Sequence, residues 1–262
     1  MRRSKPRPAK SFHPPRGDRG PRRSQGGADL MLYGIHAAEA ALRNPRRQIS
    51  RVLATDNAGR RLEVLITARG LTVEPVSPRD LDRLLGADTV HQGVAIEAVP
   101  LSPAHLDEVN DMAMLVVLDQ VTDPHNVGAV LRSAAAFGAS GLVVTERHSP
   151  PLTGTLAKTA SGALDIVPVI AVKNLAQALA ELGERGFQRV GLAEDGGDTL
   201  ESIALRRPLA LILGAEGSGL RRLTREHCDQ LCRIETAPDF ASLNISNAAA
   251  VTLHWASLKT RG

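Results

Sequence analysis

The strongest constraint on the fold is a series of short, almost purely apolar segments in the second half of the chain, alternating with helix-like stretches. MLVVLDQ, GLVVTE, VPVIAV, QRVGLAE, PLALILG and CRIET read as strands; DPHNVGAVLRSAAAFG, the region of LTGTLAKTASGAL, NLAQALAELGERG, RRLTREHCDQL and SNAAAVTLHWASLKT read as helices. Strands as uniformly apolar as LVVL and LALIL are buried on both faces, so the alternation predicts an α/β fold with a mostly parallel sheet covered by helices on both sides. Ligands in such sheets bind outside the carboxyl ends of the strands.

A smaller unit precedes it. YGIHAAEAALRN is helical, ISRVLAT a strand, RRLEVLITARG helical, LTVEPV a strand, SPRDLDRLLG a serine-capped helix and GVAIEAV a strand, giving an α/β/α unit over residues 29–100. The polar, proline-bearing LSPAHLDEVND, residues 101–111, is the expected linker, and residues 112–262 form the larger domain. A chain of 262 residues with 43% hydrophobic content accommodates both.

Charge sets the first 28 residues apart. They carry nine basic residues against the single acid Asp18, a surplus of +8 in a chain whose net charge is +4, so the remainder is acidic. Rich in Pro, Gly and Arg, this tail is expected to be disordered and either to attract phosphate without regard to sequence or to stand solvated without a partner. It has no apolar core of a signal peptide, and no apolar run reaches the roughly 18 residues of a membrane span, so a cytoplasmic protein without a membrane partner is expected. Cys228 and Cys232 have the spacing of one helix face and are read as reduced packing thiols; with only His227 beside them, no metal is expected.

Polar residues gather in three segments. In DPHNVGAVLRSAAAFG, Val127, Val130, Leu131 and Ala134 mark the core stripe, Asn126 stands where an N-cap belongs and Gly138 is the stop. Arg132 lies off the stripe above Gly128 and Ala129, leaning back toward Asn126. The pair makes either an anion site at the helix mouth or a plain cap with a solvated arginine. LALILGAEGSGL runs a buried strand into Gly214, Gly217 and Gly219 around Glu216; it lacks the lysine of a phosphate-binding loop and is either a ligand loop or a tight turn. The loop holding Ser242, Asn244, Ser246 and Asn247 has more capping residues than one helix start needs. Beyond it Val251, Trp255 and Leu258 are spaced as a core stripe.

NVGAVLRSAAAFGA, LILGAEGSGL and ASLNISNAAAV, in that order, resemble the three motifs of the SpoU (TrmH) family of RNA ribose 2′-O-methyltransferases, part of the SPOUT superfamily. LYGIHAAEAAL and HQGVAIEA resemble the small substrate-binding, L30e-like domain of the branch that methylates a guanosine of 23S ribosomal RNA. The resemblance implies a trefoil-knotted α/β methyltransferase domain, S-adenosyl-L-methionine as cofactor, RNA as partner and a homodimer. Carried over by motif, Asn126, Arg132, Glu216, Ser242 and Asn244 are the candidate catalytic residues, and Gly214, Ile234 and Leu243 the candidate cofactor-binding residues. Glu235 stands where family members commonly carry proline.

A guanidinium is a cation rather than a base, so Arg132 is expected to hold an RNA phosphate and to steady developing alkoxide charge. With 2% aromatic residues, base stacking is a minor means of RNA recognition. The alternatives are a transfer RNA guanosine methyltransferase, a noncatalytic RNA-binding or ribosome-assembly protein of the same fold, and a nucleotide-dependent small-molecule enzyme built on GAEGSG.

Overall fold

The computed structural model describes residues 30–147, 149–152, 155–237 and 243–260. The tail, residues 1–28, and Ser242 lie outside the described residues.

The small unit runs β1 (Leu30–Tyr33), α1 (Ile35–Arg43), β2 (Ile49–Ala54), α2 (Asp56–Ala68), β3 (Val73–Pro75), α3 (Pro78–Leu85) and β4 (Val94–Ala98). Its sheet has the order β1-β4-β2-β3, with β4 antiparallel to both neighbours and β2 parallel to β3. Ser77 caps α3 by accepting the Asp80 N–H, and the Asp80 carboxylate accepts the Ser77 N–H in return. Sequence periodicity misses β1. LMLY alternates buried and half-buried positions against β4, and Gly34, at φ 87°, turns the chain sharply into α1.

The larger unit contains β5 (Met114–Asp119), α4 (Pro124–Ala136), β6 (Gly141–Thr145), α5 (Thr155–Ala160), β7 (Val169–Val172), α6 (Leu175–Glu184), β8 (Gln188–Leu192), β9 (Asp198–Thr199), β10 (Leu209–Gly214), α7 (Arg222–Glu226), β11 (Gln230–Arg233) and α8 (Ile245–Lys259). The sheet order is β7-β6-β5-β10-β8-β11-β9, and every pairing is parallel, as the apolar strands require. Met114, Val116 and Leu118 pack toward α4 and α8, Leu115 and Val117 toward α6. Both faces are therefore covered, as expected. The two-residue β9 is too short to leave a pattern in the sequence.

Residues 101–111 are tied to the larger unit: Ala104 bridges to Ile170, its N–H donating to the Val169 carbonyl at 2.8 Å, and Leu106 is buried. Arg47 and Asp165 form an ion pair between the units with both side chains essentially inaccessible (1% and 0%). Arg47 donates through Nε and Nη2 to the two carboxylate oxygens and through Nη1 to the Val99 carbonyl. Asn44 Nδ2 donates to the same carboxylate. One apolar cluster runs from Leu30 and Ile96 into Val130 and Leu253, so the units share a core.

Two expectations are corrected. Cys228 and Cys232 do not share a helix face, because α7 ends at Glu226 and Cys232 belongs to β11; both are free thiols, Cys228 half-buried and Cys232 fully buried. Of the stripe of Val251, Trp255 and Leu258, Trp255 alone packs against the core, half-buried; the core face of α8 lies elsewhere. Ile245, Ala249, Leu253 and Ala256 are buried instead, leaving Val251 and Leu258 exposed at 42% and 50%. The α8 sequence is apolar nearly all round, so periodicity could not choose between its faces.

Candidate active site

The carboxyl ends of β8, β10 and β11 and the start of α8 surround a cleft of about 750 Å³. Gly214 ends β10 at its wall. A Cβ on Gly214 would stand 2.2 Å from the Gly219 carbonyl carbon, because the chain doubles back through an Ala215–Gly219 bridge, with Gly217 and Gly219 at φ 78° and 62°. Only glycine permits that closure at 214. The turn leaves Glu216 exposed at its tip.

Three segments distant in sequence meet at Glu216. Asn126 Nδ2 donates to Glu216 Oε1 at 3.3 Å, and Asn244 Nδ2 donates to the same oxygen at 2.5 Å and to Asn126 Oδ1 at 3.2 Å. The Ile245 N–H points at Glu216 Oε1 from 3.4 Å, placing the acid at the positive end of α8. Asn244 is the N-cap of α8, its Oδ1 accepting the Ser246 N–H at 2.8 Å.

Asn126 is not an N-cap. Asp123 holds that place, accepting the His125 N–H at 3.0 Å, with Pro124 following; Asn126 sits in the first turn of α4, which frees its amide for Glu216 and Asn244. Gly138 does follow the helix end, at φ 72°. The expected meeting of Arg132 with Asn126 is not formed. Six helical residues separate them by about 9 Å along the axis. Arg132 is exposed and has no hydrogen bond or ion pair among the described residues. Nor does Gly128 serve Arg132: it is buried, and a Cβ there would lie 2.7 Å from the Thr159 side chain, so its smallness lets α5 pack against α4.

Gly214, Ile234 and Leu243 all line the cleft, along with Glu216 and Asn244. Asp195 and Arg225 also line it and form a two-pronged pair at 2.9 Å; the guanidinium holds the Asp195 carboxyl below its ordinary range. Glu235 is an exposed member of the lining, 3.9 Å from Arg233, whose Nη1 also donates to the Gly196 and Gly197 carbonyls. Sequence reasoning passed over Asp119. It is fully buried at the end of β5, accepting the Arg221 N–H at 2.9 Å and Arg221 Nε at 2.7 Å. Its signal was an acid closing an otherwise apolar strand, MLVVLD.

Residues 113–254 match the SpoU rRNA Methylase family, and residues 31–104 match the model described as RNA 2'-O ribose methyltransferase substrate binding. The chain is 41% identical over 232 residues to the 23S rRNA (guanosine-2'-O-)-methyltransferase RlmB of Pseudomonas aeruginosa, covering 85% of this chain and 93% of that one. It is 42% identical over 233 residues to the protein of the same name from Xylella fastidiosa, with the same coverages. Among solved structures, the AdoMet-bound rRNA methyltransferase from Sinorhizobium meliloti superposes with a TM-score of 0.75 at 22% identity, covering 90% of this chain and 89% of that one. The SpoU methyltransferase AviRb from Streptomyces viridochromogenes, in complex with AdoMet, gives 0.71 at 23% identity, covering 89% and 92%. These two share the fold; the family follows from the matched motifs and the closer relatives: the chain belongs to the SpoU rRNA Methylase family.

Proposed function

We propose that the protein transfers a methyl group from S-adenosyl-L-methionine to the ribose 2′-hydroxyl of a guanosine in 23S ribosomal RNA. The observation that carries this is the meeting of Asn126, Glu216 and Asn244 beside the glycine-walled cleft. The names of the relatives at 41% and 42% identity supply the RNA and the base.

The cleft residues fit this cofactor. Leu192, Leu213, Leu220 and Ile234 offer an apolar wall for a flat adenine, and Glu194 supplies a carboxylate for a cationic ligand, Asp195 being engaged by Arg225. Gly214, Ile234 and Leu243 would hold it. When bound, it supplies the activated methyl group. Asn126, Glu216, Asn244 and, by its motif, Ser242 orient the ribose. The Arg132 guanidinium binds an RNA phosphate and favours the charge that develops as the hydroxyl proton leaves for a phosphate oxygen.

The small unit and the basic tail are the RNA contacts in this proposal, and residues 101–111 join the small unit to a methyltransferase domain of residues 112–262. A trefoil knot in this domain is part of the proposal, on the match of residues 113–254 to the SpoU rRNA Methylase family. A homodimer is supported by the apolar side chains that α8 leaves exposed. Among the described residues no helix is long and apolar enough to cross a membrane; the proposed action on ribosomal RNA favours a cytoplasmic enzyme.

The test is incubation with tritium-methyl S-adenosylmethionine and 23S rRNA from a strain deleted for the gene. Label at one guanosine ribose is expected; a protein that binds the cofactor yet labels no 23S rRNA would exclude this function. Deleting residues 1–28 should lessen the salt dependence of RNA affinity.

A further inference from the structure

Among the described residues Asp119 is the one fully buried acid at the carboxyl end of the sheet's central strands, and the Asn126–Glu216–Asn244 contacts do not use it. A buried carboxylate is costly unless its oxygens are bonded and its charge paired. Asp119 meets both conditions through one residue, Arg221, whose N–H binds Oδ2 and whose Nε binds Oδ1.

The position of this pair matters more than its strength. In the parallel register Asp119 stands opposite Gly214, the last residue of β10, where the glycine loop begins. Arg221 is the first residue after that loop. Both ends of the segment Ala215–Leu220 are thus fixed at Asp119, one by strand pairing and one by its side chain. Between them there is no slack, since Gly219 already lies against Gly214 too closely for a Cβ. Displacement of Arg221 is passed directly to Gly219, Ala215 and Glu216. The residue after Asp119, Gln120, adopts φ 59° and turns the chain toward Asp123 and Asn126. One carboxylate therefore sits at the base of two of the three segments that meet at Glu216.

We propose that Asp119 is a positioning residue for the cofactor cleft: by clamping Arg221 it holds the loop of residues 214–220 closed, and so sets the wall that S-adenosylmethionine contacts and the position of Glu216. This rests on the proposed function, and the two can fail separately.

The test compares Asp119→Asn, Arg221→Ala and the parent by calorimetric titration with S-adenosylmethionine, well below each melting temperature. Steady-state methylation of 23S rRNA is measured in parallel. Asp119→Asn cannot accept both Arg221 donors, because its amide nitrogen faces one of them. It should raise the cofactor Kd and KM at least tenfold and, because Glu216 moves with the loop, lower kcat at saturating cofactor as well. Arg221→Ala keeps the backbone N–H bond and should raise Kd about threefold. A lowered melting temperature with Kd within twofold of the parent in either variant overturns the proposal, since that is the result of a purely structural pair. If Asp119→Asn does not fold, Arg221→Ala decides by the same criterion. A parent that binds no S-adenosylmethionine refutes the proposed function instead.

Discussion

The Asn244 side chain makes two kinds of contact at once: its Oδ1 accepts the Ser246 N–H at 2.8 Å, starting α8, while its Nδ2 donates to Glu216, 28 residues upstream. A cap and a site contact are thereby joined in one amide, and substitutions can separate them. Asn244→Ala removes both and should cost about 1 kcal/mol of stability through the lost cap, or about 2–4 °C in melting temperature. Asn244→Asp keeps the cap but places a second carboxylate against Glu216. It should melt within about 2 °C of the parent while losing more than tenfold in methylation rate. Equal activity of Asn244→Asp and the parent would show that the amide only caps.

Gly214→Ala tests the closed turn. Its added Cβ has no position clear of the Gly219 carbonyl, so either the turn opens or β10 shifts. S-adenosylmethionine affinity should fall below detection by calorimetry, whereas Gly138→Ala, at a helix end with open space around it, should leave that affinity unchanged.

The Arg47–Asp165 pair predicts an asymmetry between single and double substitutions. Removing either partner leaves a buried charge uncompensated, at a cost of about 3–5 kcal/mol. The joint change Arg47→Met with Asp165→Leu removes both charges and should recover at least half of that loss. Chemical denaturation of the four proteins of this double-mutant cycle measures the coupling directly.

Thiol ionisation gives the pH prediction. Burial pushes Cys228 up to about 12 and Cys232 up to about 11, from an ordinary 9.0. The folded state thus holds these protons more tightly than the unfolded chain, so the associated stability is complete below pH 9 and is lost as pH rises through 9 toward 11–12. Unfolding free energy should decline across that window, and less steeply in Cys228→Ala with Cys232→Ala. At pH 8 neither thiol should react with iodoacetamide until the protein unfolds.

Much of this architecture was written locally. The parallel sheet followed from LVVL and LALIL, which are apolar at every position, and the capped α3 from SPRD, where serine and aspartate satisfy each other's backbone N–H groups. What escaped depended on distant partners. β1 is too short to display a period and exists because β4 pairs with it; α8 is apolar around its circumference, so α4 rather than its own pattern chose the buried face. The spacing of Asn126 suits a cap, but Asp123, three residues earlier and followed by Pro124, takes that place. Asp119 looked like the end of a strand, since only the fold brings Arg221 to it.

The latch between Arg47 and Asp165, together with the core that continues across it, has a geometric consequence. Two units joined by a solvated tether would sample many separations, and an RNA gripped by one could present several nucleotides to the other. Here the span from the small sheet to Glu216 is fixed by packed side chains and a buried charge pair. Such a protein works as a ruler: the nucleotide it reaches is set by a constant offset from the point of grip.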